Sequence, residues 1–290
     1  MMGNQERRSR STMWSTLGVL MAFVVVGGAW FWLSRGEQEP TAKQTAEMQE
    51  TVAVDDAPVE PEASFDAEAL QSVLDEWSIT VGGTAGVTIM TTDGDVLAEI
   101  EGDKEYFTAS IYKLYVAYAG YLQIDLGLVG ADDIYLGGKT RGECLDLMIR
   151  ESHSPCAETM WADLGKEQLT DQLATYGIEN TSMVGLTTTA HDVAIMLAMI
   201  ARGDNLSDAS QAKLLDSMKG QIYRDTLNVG FSSDVTVYNK IGFREQDEYH
   251  DTAIVEFTDG RKLIVSVLTD GVGKKGIVDL GARIEASITQ

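Results

Sequence analysis

In "FTASIYKLYVAY", Phe107 to Tyr118, a serine and a lysine stand one helical turn apart, Ser110 and Lys113, inside a run that is otherwise apolar and aromatic. Residues three apart on a helix share a face, so the alcohol and the amine meet. An amine among apolar side chains is desolvated, which lowers its pKa toward the range where it accepts a proton. A base beside a hydroxyl is the arrangement of an activated nucleophile. The plain alternative is a lysine snorkelling out of a core helix. The same spacing recurs in "SQAK", Ser210 to Lys213, among charged neighbours. That copy reads as solvated surface and shows how little the spacing means alone.

Two later stretches add polar groups. "MIRESHSPCAETM" puts Ser152 and Ser154 in a short break between helical runs, with Pro155 opening the second. "VTVYNKIGF" puts Lys240 near the end of a β-rich run, followed by Ile241 and Gly242.

The elements that must position these residues follow from periodicity. "FDAEALQSVLDEW" has helical spacing, and "GVTIMTTDGDVLAEIEG" is a hairpin around Asp93-Gly94. Helical patterns run from Ser110 to Leu122, Glu143 to Arg150, Pro155 to Leu164 and Lys166 to Tyr176. "TTTAHDVAIMLAMIARG" opens with Thr189 three before Asp192, like a capping box, and "SDASQAKLLDSMKG" is a further capped helix. Three strands follow, "VTVYNKIG", "DTAIVEFTDG" and "RKLIVSVLTDG", with an Asp259-Gly260 turn between the last two, and "KGIVDLGARIEASI" closes as a helix. This order predicts an α+β fold. One antiparallel sheet forms from both chain ends, terminal helices flank it, and an all-helical lobe lies between, with a site in the cleft.

Ser-x-x-Lys, then Ser-x-Asn or a variant, then Lys-Thr-Gly on a strand, in that order, is the motif set of class A β-lactamases and penicillin-binding proteins. The chain resembles that superfamily across nearly all of residues 65–290, down to "TASIYKLY", "LMIRESHSPCAETM" and "TTTAHDVA". The resemblance implies that Ser110 is the acylated nucleophile and Lys113 its base. Ser152 would pass a proton to the leaving amine, and Lys240 would hold the local field positive. The backbone N–H groups of Ser110 and Phe243 would form the oxyanion hole, with Ser110 also favoured by a helix N-terminus. Ser154, Ile241, Gly242 and Arg244 would bind substrate.

The sequence departs from the pattern at three places. Ser154 stands where the superfamily has asparagine, and Ile241 stands where a threonine hydroxyl helps grip a carboxylate. Arg244, nearby, is a candidate substitute. The long loop carrying the glutamate that activates the deacylating water is reduced to "GIENTSMVGL", in which Glu179 is the acidic residue. Without a positioned base an acyl-enzyme hydrolyses slowly.

A formal net charge of -23 over 290 residues argues against nucleic acid, which needs a basic face. The chain begins with a basic segment, residues 1–12, containing Arg7, Arg8 and Arg10. Residues 13–34 follow, uncharged from Met13 to Leu33 and ringed by Trp14, Trp30 and Trp32. That length spans roughly 31 Å as a helix, enough for a hydrocarbon core. The positive flank predicts a retained single-pass anchor with a cytoplasmic N-terminus, although "VGGAW" also resembles a cleavage site. Residues 35–64, acidic and proline-bearing, read as a disordered stalk. Cys144 and Cys156 in the exported part are a candidate disulfide, with buried free thiols as the alternative. A metal site would need more ligands than His153 adds, and neither metal nor cofactor is expected.

These readings together describe a membrane-anchored extracytoplasmic active-site-serine hydrolase acting on a peptide, a peptidoglycan-type amide or a β-lactam. A genuine class A β-lactamase, and a non-catalytic or penicillin-sensing binding protein, are the alternatives.

Overall fold

The computed structural model describes residues 65–244 and 248–289. The basic terminus, the anchor and the stalk expected over residues 1–64 lie outside the described residues. No described helix is long and apolar enough to cross a membrane.

Helix α1 (Ala67–Thr80) is capped by Asp66 and leads into the hairpin of β1 (Thr84–Thr91) and β2 (Val96–Ile100). Gly94 takes a positive φ of 101° in its turn, as the Asp-Gly signal requires. After β3 (Tyr106–Phe107), a 3-10 turn over Ala109–Ile111 feeds α2 (Tyr112–Asp125). Ser110 therefore sits in the tight turn ahead of the α-helix rather than inside it.

The helical block continues after a small hairpin of β4 (Ile134–Leu136) and β5 (Lys139–Thr140). It comprises α3 (Arg141–Arg150), α4 (Ser154–Leu164) and α5 (Lys166–Ala174). Strand β6 (Thr187–Thr188), paired with β3, then opens α6 (Ala190–Arg202), and α7 (Asp208–Lys219) follows. Thr189 caps α6 by accepting from the Asp192 amide, but Asp192 does not return the bond as a capping box would. Its carboxylate accepts instead from the Asn180 amide and the Thr181 hydroxyl, so it ties the preceding loop to the helix.

A short α8 (Leu227–Gly230) precedes β7 (Thr236–Arg244), β8 (Glu248–Glu256), β9 (Lys262–Asp270) and α9 (Gly273–Ile288). The sheet order is β2-β1-β9-β8-β7, antiparallel throughout, so both chain ends build one sheet as expected. Alternation sorts its two faces. Ala253, Val255, Val265 and Val267 pack with Leu70, Leu74 and Trp77 of α1 and Ile277, Leu280 and Ile284 of α9. Ile254, Ile264 and Leu268 join the core of the helical lobe, with Leu114, Tyr115 and Val193. The Trp77 indole N–H donates to the Gly276 carbonyl at 2.9 Å, which fixes α1 on α9.

Cys144 and Cys156 form a disulfide that joins α3 to α4 across the break at Glu151–His153.

Candidate active site

The four polar residues come from three places: the turn and start of α2, the α3–α4 break, and β7 at the sheet edge. Lys113 Nζ lies 3.1 Å from Ser110 Oγ, 3.2 Å from Ser152 Oγ, 3.1 Å from Ser154 Oγ and 2.6 Å from the Ser152 carbonyl. Lys240 Nζ lies 3.1 Å from the same Ser152 Oγ and 2.7 Å from the Ile241 carbonyl. The Ser152 hydroxyl thus bridges the two amines. Ser110 is half-buried, while Lys113 and Lys240 are buried.

Burial sets the electrostatics. It brings the Lys113 amine down to about 8, a shift partly opposed by the negative charge of Glu158. Lys240 is held well below the ordinary lysine range by burial and by the charge of Lys113, with Asp251 opposing. Asp251 itself, buried on β8 opposite Ile241 of β7, is raised by burial to about 6, although Thr226, Asn239 and the Leu227 amide all donate to it. A lysine near 8 can take the proton of a hydroxyl 3.1 Å away and return it.

Backbone strain gathers here. Ala109 and Ser152 have positive φ, 43° and 56°, a conformation that costs a non-glycine residue about 1–2 kcal/mol. The Lys113 bonds to both the carbonyl and the hydroxyl of Ser152 hold that residue in place. On the other side, His250 Nε2 donates to the Phe107 carbonyl at 2.8 Å while its Nδ1 accepts from the Thr269 amide at 3.1 Å. This neutral imidazole, its pKa lowered by burial, pins the strand that leads into the nucleophile turn to β8.

Among the residues expected to bind substrate, Ser154 faces the amine from the first turn of α4. Gly242 brings β7 against the nucleophile turn: a Cβ there would stand 3.0 Å from the Ser110 amide nitrogen. Phe243, next on β7, is 47% exposed, and its ring is flanked by Tyr223 and Tyr249, which gives the site an aromatic rim. Ile241 is only 1% exposed, so its side chain offers a ligand no surface. Arg244 is engaged already, paired with Glu248 at 2.8 Å and stacked over the Phe107 ring at 4.4 Å. Glu179 is exposed and, among the described residues, makes no hydrogen bond to the cluster.

The second Ser-x-x-Lys copy needs correction. Ser210 is buried, not solvated, and its hydroxyl donates to Asp125 at 2.7 Å, while Lys213 points to solvent. It braces α7 against the end of α2. Sequence reasoning also passed over Asp251 and Glu158. Glu158 left one readable signal: it follows Ser154 by four on the same helix.

Residues 138–290 match the model of the beta-lactamase enzyme family. No curated protein matches. PBP-A superposes with a TM-score of 0.67 at 22% identity, over 77% of this chain and 96% of that one. A PBP-A mutant solved as an acyl-enzyme with penicillin G gives 0.68 at 22%, over 79% and 99%. The putative class A beta-lactamase PenP from Rhodopseudomonas palustris gives 0.68 at 23%, over 76% and 99%. At these identities the similarity speaks for the fold.

Proposed function

Since the chain belongs to the beta-lactamase enzyme family, we propose that it is an active-site-serine hydrolase that opens β-lactams or related peptide amides through an acyl-enzyme on Ser110. The observation that carries this reading is the Lys113 amine, brought to about 8 and 3.1 Å from the Ser110 hydroxyl. Lys113 takes the Ser110 proton as Oγ bonds to the carbonyl carbon. The amide C–N bond then breaks, and the departing nitrogen receives a proton by way of Ser152, which both amines touch. Backbone N–H groups of Ser110 and Phe243 receive the oxyanion. The acyl-enzyme solved for the PBP-A mutant supports the same covalent chemistry in this fold.

Deacylation is slow in this reading, because the superfamily's loop glutamate has no counterpart in the short segment between α5 and β6. The aromatic rim of Tyr223, Phe243 and Tyr249 favours an apolar substrate group, and the burial of Ile241 weakens the hold on a carboxylate. The domain acts outside the cytoplasmic membrane, tethered by residues 13–34. Support comes from the arginines before that uncharged stretch and from the Cys144–Cys156 disulfide, which persists in an oxidising compartment.

Intact-mass measurement after exposure to penicillin G, with Ser110→Ala as control, tests the reading. The expected result is one adduct on the wild-type chain and none on the variant. An adduct on both, or on neither, overturns it. Steady turnover far above the burst would mark a genuine β-lactamase.

A further inference from the structure

Hydrolysis of a serine ester needs a base for the attacking water, while Lys113, 3.1 Å from the Ser110 oxygen, is needed to carry a proton back to Oγ as the ester breaks. Helix α4 presents one face to the start of α2, and three of its residues line that face at spacings of four and three. Ser154, at its head, reaches Lys113 Nζ at 3.1 Å. Trp161, two turns on, packs its ring against Tyr112 with centroids 5.6 Å apart. Glu158 lies between them on the same stripe, bracketed by contacts to Tyr112 and Lys113. Its side chain is exposed, and among the described residues its carboxylate has no hydrogen-bond or ion-pair partner. Electrostatics agree: Glu158 is the acid whose charge acts on both Lys113 and Tyr112.

We infer that Glu158 is the general base that activates water for hydrolysis of the Ser110 acyl-enzyme, an assignment that rests on the acyl-enzyme reading above. One proton of the water passes to the Glu158 carboxylate as the water oxygen bonds to the acyl carbon. The carbonyl pair moves onto the oxyanion, then returns as the C–Oγ bond breaks. The proton goes back to Ser110 Oγ through Lys113, leaving a free carboxylic acid and the restored alcohol. No hydrogen bond among the described residues orients this exposed carboxylate, so the water it activates is loosely placed and deacylation is slow but not zero.

The test uses the full-length chain acylated with penicillin G, with adduct formation and loss followed by intact mass. In Glu158→Gln, adduct formation is expected to stay within a few-fold of wild type, while its loss slows about 10²-fold, the scale of a removed general base. Glu158→Asp should recover part of that rate. Hydroxylamine, which attacks without losing a proton to a base first, should release the adduct from wild type and Glu158→Gln at similar rates. Unchanged adduct lifetime in Glu158→Gln, or equal slowing of formation and loss, overturns the assignment of Glu158 alone. Absence of an adduct on the wild type overturns the acyl-enzyme reading beneath it.

Discussion

Gly242 packs so closely on Ser110 that a methyl group added to its Cα would stand 3.0 Å from the Ser110 amide nitrogen, and 3.1 Å from both the Thr108 carbonyl and Ile111 Cγ1. Two of those three neighbours are backbone, so they yield little. Gly242→Ala should push β7 away from the nucleophile turn and pull the Phe243 amide out of register with the Ser110 amide. Acylation by penicillin G should slow about 10²-fold, the effect of one lost oxyanion donor. Overpacking should cost about 1–3 kcal/mol in a thermal melt. Wild-type acylation in this variant would dissociate β7 from the chemistry.

The base dictates the pH profile. Lys113 accepts a proton only when neutral, and burial brings its amine to about 8. The acylation rate should therefore rise with pH through about 8 and level off above it, as read from stopped-flow bursts with a chromogenic cephalosporin. Lys113→Arg, which stays charged at every accessible pH, should abolish the burst. A flat profile between pH 6 and 9 would exclude Lys113 as the base.

Asp251 should leave a mark on stability. Its folded-state pKa is raised to about 6 from 3.8, so the folded protein holds this proton more tightly than the unfolded chain does. The associated stability is present below pH 4 and is lost as pH rises through about 6, on the order of 3 kcal/mol across the window. Chemical denaturation at pH 4.5 and 7.5 should show a smaller pH-dependent change in Asp251→Asn than in wild type. Equal changes in the two would dismiss the assignment.

The Cys144–Cys156 bridge closes a short loop that contains Ser152. Reduction, or the double change Cys144→Ala with Cys156→Ala, should cost about 2–4 kcal/mol by denaturant unfolding. It should also slow acylation, because the bridged break holds Ser152 between the two amines. Unaltered acylation after verified reduction would show that Lys113 and Lys240 suffice to hold it.

What the sequence determined by itself was what short-range rules govern. The turn-apart spacing of Ser110 and Lys113, the alternation of the strands and the Asp-Gly turns each depend on near neighbours, and their order gave the architecture and the family. What lies far apart in sequence was decided by packing. The neighbours of Ser210 and Ser110 set the two copies apart, but nothing local says that Ser210 is buried with its hydroxyl taken by Asp125, or that the amine facing Ser110 is buried. Nothing local says that Ile241 is sealed off, that Arg244 is held by Glu248, or that the charge of Asp251 on the neighbouring strand acts on Lys240. Local conformation is set by a residue and its neighbours, but desolvation and charge pairing depend on which distant surfaces close over it. The chemistry of this site was therefore fixed only when β7, the α3–α4 break and the turn before α2 met.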